Sequence, residues 1–238
     1  DAQLSRGLGD VYKRQAVETV AEYGNEVFDV YRSLTFLIRP SLSEEQKVIM
    51  GKINFSVTDA GLNAFAYKNY RDNHRFNIKV SLPLIYLNEQ FSYGMAYVAI
   101  TSDIDCLNNY MQKQIDLANR YSRGSLEGVE DTRNTAFVLY AKSHKNKCKY
   151  FDMDLIDDND FIDYSLSYRN LSTYWILLHE IAHHVLGHTE NIKSGCDVNI
   201  KRKERDADFW AIDMMDKVNM PFYTADSFHT YFIFIDSI

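Results

Sequence analysis

The residues best suited to chemistry lie in one short stretch, Leu177 to His188 (LLHEIAHHVLGH), where His179, Glu180 and His183 follow the spacing His-Glu-x-x-His. On an α-helix, residues four apart stand one turn above each other, so the imidazoles of His179 and His183 converge on one point. That arrangement offers two of the three protein ligands of a catalytic Zn2+, each nitrogen about 2.0–2.1 Å from the ion, with a further position left for water. Glu180 follows the first histidine directly. Its carboxylate falls beside the open position, where it can take a water's proton and pass it to a leaving amine. The flanks Tyr174 to Leu178, Ile181, Ala182, Val185 and Leu186 are apolar nearly all round, while Thr173, Glu180, His184 and Gly187 fall near one helical line. Such a helix is buried. The plainer alternative, two hydrogen-bonded core histidines, leaves Glu180 buried without a partner.

A third ligand has to come from another element. The continuation Gly-x-x-His that would supply it from the same segment is displaced, because Gly187 is followed immediately by His188. His184 and His188 lack the one-turn spacing of His179 and His183, which makes them solvent-side groups or supports of a ligand rather than ligands. Downstream, Glu204 to Ala211 (ERDADFWA) places Glu204 and Asp208 one turn apart on a helix expected over Lys201–Val218. By the helical count, Glu204, Ala207, Asp208, Ala211 and Met215 share an inner line, and Asp206, Asp213 and Lys217 an outer one. Glu204 and Asp208 are therefore expected to face the core.

These residues resemble the gluzincin metallopeptidases, in which a Glu opening a second helix is the third zinc ligand and an Asp one turn on orients the first histidine. Glu204 and Asp208 match those roles, and a ligating imidazole does need its other N–H held by an acceptor. Within that group the phrases NAFA (Asn63–Ala66), HEIAHHVLGH and ERDADFWA are similar to the phage-exclusion Lit-type peptidases, and more loosely to the ImmA-type and HtpX-type peptidases. The resemblance implies a mostly helical α+β zincin-like domain with a small β-sheet beside the active-site helix. It also implies a zinc metalloendopeptidase with Glu180 as base, His179, His183 and Glu204 on the metal, and Asp208 behind His179. The Asn63–Tyr67 segment and the strand near Phe76 then include an edge strand that pairs with an extended substrate; an ordinary core strand is the alternative. An oxyanion donor is expected among Tyr223, His229 and Tyr231. Two other functions fit the same residues: a regulatory ImmA-like peptidase cleaving one partner protein, and a non-catalytic domain in which zinc staples two helices.

The elements that must position this site read as follows. Apolar residues from Val17 to Ile38 recur at helical spacing, and Ser41 with Glu44 suits a capping box opening a second helix that stops at Gly51. Ile53–Val57 and Phe76–Val80 read as strands, Leu82–Phe91 and Leu107–Tyr121 as helices, and Thr135–Tyr140 as a strand or a buried helix. The run Asp152, Asp154, Asp157, Asp158, Asp160 and Asp163 lacks the alternation and turn glycine of a calcium loop, and reads as a solvated acidic loop.

The chain has 238 residues, 46% hydrophobic and 25% charged, enough to bury one sizeable core, and nothing Pro-rich, Gly/Ser-rich or repeated marks a boundary. A net charge of −7 argues against a nucleic-acid partner, and no apolar run is long enough for a membrane span; a protein or peptide substrate is the partner that the peptidase resemblance implies. Cys106, Cys148 and Cys196 are odd in number and widely spaced, which reads as free thiols in the cytoplasm. Residues 1–15 are set aside, since DVYKRQ looks like a translated sequencing adapter, and 16–238 is expected to be a single metallopeptidase domain truncated at its C-terminus. No feature speaks to the oligomeric state.

Overall fold

The computed structural model describes residues 24–59, 61–69, 75–124, 135–156, 158–190 and 199–218. The fold is α+β and mostly helical. Helix α1 occupies 24–38 and leads through a short 3-10 turn, Arg39–Ser41, into α2 (Glu44–Met50). Three strands follow, β1 (Ile53–Thr58), β2 (Ala64–Asn69) and β3 (Arg75–Ser81). The remaining helices are α3 (Leu82–Thr101), α4 (Ile104–Tyr121), α5 (Thr135–Ser143), α6 (Met153–Ile156), α7 (Asn159–Val185) and α8 (Ile200–Lys217).

Local chemistry sets the boundaries. The capping box forms at Ser43 and Gln46, not at Ser41 and Glu44: Gln46 N–H donates to Ser43 Oγ at 3.2 Å and Ser43 N–H to Gln46 Oε1 at 3.1 Å. Both serines fit the Ser-x-x-Glu/Gln pattern, but Ser41 is held in the preceding 3-10 turn with Pro40. Gly51 closes α2 as expected. Thr135–Tyr140 is helical. Helix α3 runs ten residues past Phe91, and Gly94 within it lets α4 approach closely: a Cβ there would collide with Leu107 Cδ1. The acidic run is partly helical, since Asp154 lies in α6 and Asp158 caps α7 by accepting from Asp160 N–H at 2.8 Å.

The sheet order is β1-β3-β2, with β3 parallel to β1 and antiparallel to β2. The strand near Phe76 is thus the central one, and β1 and β2 are the two edges. Centrality follows from composition, as Phe76, Ile78 and Val80 are all buried. On the core side Ala64, Ala66 and Lys68 stand opposite Val80, Ile78 and Phe76.

Two hydrophobic clusters divide the interior. One is aromatic, built by α3, α4 and α5 around Tyr97, Tyr110, Phe137 and Phe161. The other joins α1, the sheet, α7 and α8 through Leu34, Ile78, Leu178, Ile181, Ala211 and Met215. Helix α7, 27 residues and roughly 40 Å long, enters both: Phe161 packs in the first and Trp175 to Ile181 in the second. Leu178 is fully buried beneath the sheet. Leu178→Ala is expected to lower stability by about 2–5 kcal/mol in chemical denaturation, through lost transfer energy and the cavity left behind; a loss below about 1 kcal/mol would contradict this packing.

The free-thiol expectation is corrected. Cys106 and Cys148 form a disulfide between the first turn of α4 and the turns after α5, their Cα atoms 4.7 Å apart. Forty-two residues separate them, so only the packing of α5 against α3 and α4 brings them together. The pair removes the thiol argument for a cytoplasmic setting, and Cys196 lies outside the described residues. Among the described residues no helix is long and apolar enough to cross a membrane.

Candidate active site

Helices α7 and α8 and the edge strand β2 build the site. The last turns of α7 carry His179, Glu180 and His183, and α8 packs alongside with Ala207, Ala211, Met214 and Met215 buried. This burial fixes the register of α8 and puts Glu204 and Asp208 at the border facing α7. They do not enter the core: the Glu204 side chain is 51% exposed and that of Asp208 32%. A carboxylate in the interior of this helix pair would have lost its hydration, whereas at the border it reaches the histidines and keeps one side wet.

His179 Nε2 lies 3.0 Å from His183 Nε2 and 3.1 Å from Glu204 Oε2, and His183 Nε2 lies 3.5 Å from the same oxygen. These ligand-capable atoms form one group able to hold a metal ion. A tetrahedral ion with bonds of about 2.0–2.1 Å spaces its ligand atoms by roughly 3.3–3.4 Å, and the three separations bracket that value. On the far side of the first imidazole, His179 Nδ1 donates to Asp208 Oδ1 at 2.8 Å. Trp175, one turn earlier on α7, packs its ring 5.3 Å from that of His179.

The electrostatics follow from this crowding. Burial disfavours a charged His179, but its hydrogen bonds to Asp208 and Glu204 outweigh that and hold it up to about 9. The same imidazoles keep Glu204 ionised well below the usual carboxylate range, His179 most strongly through its hydrogen bond. Glu180 is 6% exposed, and burial pushes it up to about 7, against the pull of His179 and His183 and a hydrogen bond from the Ala66 backbone N–H. A carboxyl group poised near neutrality can both accept and return a proton, as a general base requires.

The sequence did not reveal the contacts that hold the site to its surroundings. Strand β2 reaches Glu180 through Ala66, and its Lys68 pairs with Glu190 at 2.7 Å. His184 is not solvent-side. It is buried, its Nε2 3.0 Å from the Asn77 carbonyl oxygen on β3 and its Nδ1 3.0 Å from Thr189 Oγ1, and burial pushes it down to about 4. The α7 position that seemed to face outward is roofed by the sheet. His188 sits behind His183, its Nδ1 3.2 Å from His183 Nδ1. Neither histidine joins the group around His179. Tyr223, His229 and Tyr231 lie outside the described residues.

Two helices thus bring a His-Glu-x-x-His segment and a Glu-x-x-x-Asp segment together beside an edge strand of the sheet. The family model for Peptidase U49 matches residues 140–220, about a third of the chain, a span that contains α7 and all five of His179, Glu180, His183, Glu204 and Asp208. The match supports a peptidase and the link to the Lit-type group. No curated protein and no solved structure matches the chain.

Proposed function

We propose that the protein is a zinc metallopeptidase that hydrolyses a peptide bond in a protein substrate. The observation that carries this is the convergence of His179 Nε2, His183 Nε2 and Glu204 Oε2 within bonding range of one point, with His179 fixed from behind by Asp208. Two imidazoles and a carboxylate are the donor set of a catalytic zinc site of the two-His, one-Glu kind. When bound there, zinc supplies a Lewis acid for the scissile carbonyl and a lowered pKa for water. Glu180 takes the proton of the attacking water and returns it to the amine nitrogen as the C–N bond breaks. Asp208 accepts the His179 Nδ1 proton, leaving the Nε2 lone pair directed at the metal position.

Strand β2 has a role in binding. It is the edge strand on the side of α7, and its Ala66 N–H is directed at Glu180, so its outer edge borders the base. An extended substrate adding to that edge would bring its scissile bond past Glu180 by main-chain hydrogen bonds. The burial of Glu180 favours catalysis over a structural zinc staple, which needs no acid buried beside it.

A peptide library digested with the protein and read by mass spectrometry tests this activity: cleavage that a chelator stops and zinc restores is expected, and cleavage indifferent to chelation would contradict it. The two aspartates of α8 separate the roles further. Asp208→Ala is expected to weaken zinc binding about 10–100-fold, the usual scale for losing an outer hydrogen-bond partner. Asp206, on the outer line with its carboxylate 3.6 Å from Arg202, should tolerate Ala with little effect. A zinc titration in which Asp206→Ala did the greater damage would contradict the register of α8.

A further inference from the structure

The two histidines of the site are supported differently. His179 rests on a carboxylate, whereas among the described residues the Nδ1 of His183 meets another imidazole, that of His188, at 3.2 Å with the rings 5.2 Å apart and inclined at 65°. When His183 offers its Nε2 lone pair to the site, its single proton sits on Nδ1 and needs an acceptor. His188 provides one if its own proton is on Nε2.

His188 reaches this place because of how α7 ends. Leu186 N–H still bonds the Ala182 carbonyl, and then Gly187 takes φ +74°, a left-handed conformation that glycine adopts without steric cost. The chain folds back so that His188 N–H donates to the His183 carbonyl at 2.8 Å, which sets the two rings side by side. Three further bonds tie the turn to three elements. Thr189 meets His184 on α7, Lys203 Nζ on α8 donates to the His188 carbonyl at 3.3 Å, and Glu190 pairs with Lys68 on β2. The turn is thus tied from three sides.

We propose that His188 is a positioning residue that sets the tautomer and ring orientation of His183 by accepting its Nδ1–H. The active segment then reads His-Glu-x-x-His-x-x-x-x-His, with the last histidine acting through the second. This rests on the proposed metal role of His183.

The test uses the full chain, with Zn2+ and Co2+ alone as probes, in chelator competition. His188→Leu and His188→Ala remove the acceptor; His188→Asn keeps one, because Asn Oδ1 stands as far from its Cα as histidine Nδ1. Affinity is expected to fall about 10–100-fold in the Leu and Ala variants and to stay within about threefold of wild type in the Asn variant. Long-range 15N–1H spectra of the zinc-loaded protein should show His183 as the Nδ1–H form in wild type and Asn variant alike. Equal affinity in all three variants, or an Asn variant as weak as Leu and Ala, overturns the proposal, since packing alone does not rank side chains by acceptor. His183→Ala distinguishes the two possible failures. If it leaves zinc binding intact, the metal reading has failed; if it abolishes binding while His188→Leu does not, only the positioning role has.

Discussion

Glu180→Gln is expected to retain a full complement of zinc and lose about 10²–10⁴-fold in peptide hydrolysis, the range that a positioned acid–base group contributes. The variant changes one property. Glutamine has nearly the same volume, so the packing around position 180 persists, and its Oε1 can still accept the Ala66 N–H that the carboxylate accepts. What it lacks is the ability to take the water's proton. Burial pushes Glu180 up to about 7, against the pull of His179 and His183. Metal analysis beside turnover measurements decides the outcome: normal zinc with lost turnover fits, and hydrolysis at the wild-type rate would contradict Glu180 as the base.

Glu204→Ala is the second large effect. It removes one of the three proposed donors, and the loss of zinc affinity should exceed the roughly 100-fold upper end for an outer partner such as Asp208. The fold should survive, because the Glu204 side chain is half exposed and α8 is held by Ala207, Ala211, Met214 and Met215. Circular dichroism of the variant should match wild type while chelator competition shows the weakened site. Unchanged zinc affinity would mean that the third ligand lies elsewhere, and a collapsed spectrum would mean that Glu204 holds the two helices together.

Why some of this was legible in the sequence and some not follows from how far each regularity reaches. Helical periodicity put His179 and His183 on one side of α7 and, through Ala207, Ala211 and Met215, set the register that brings Glu204 and Asp208 to the same place. The count stops where the helix stops. Beyond the left-handed Gly187 no period applies, so the placement of His188 against His183 could not be read. The depth of Glu204 was misjudged because a helical line separates inside from outside but does not locate the border between two packed helices.

Non-local pairings were equally hidden. Strand order depends on which segment is buried from both sides, and Phe76 to Val80 carries enough apolar bulk to take the centre, leaving the NAFA strand as one of two edges, the one that reaches Glu180. His184 reads from the sequence as solvent-side or as a support of a ligand, because nothing in its own helix shows that β3 covers it. The Cys106–Cys148 pair spans 42 residues and meets where α3, α4 and α5 pack together. At α2 two serines offered the same capping pattern, and the turn through Pro40 selected the second.

The most direct test of the central claim is the zinc content of the purified protein beside that of a His179→Ala/His183→Ala double variant. About one zinc per chain is expected in the wild type, and no stoichiometric binding in the double variant, since only Glu204 of the three donors would remain. Full zinc occupancy in the double variant, or a folded wild-type protein that takes up no zinc when supplied with it, would contradict the account.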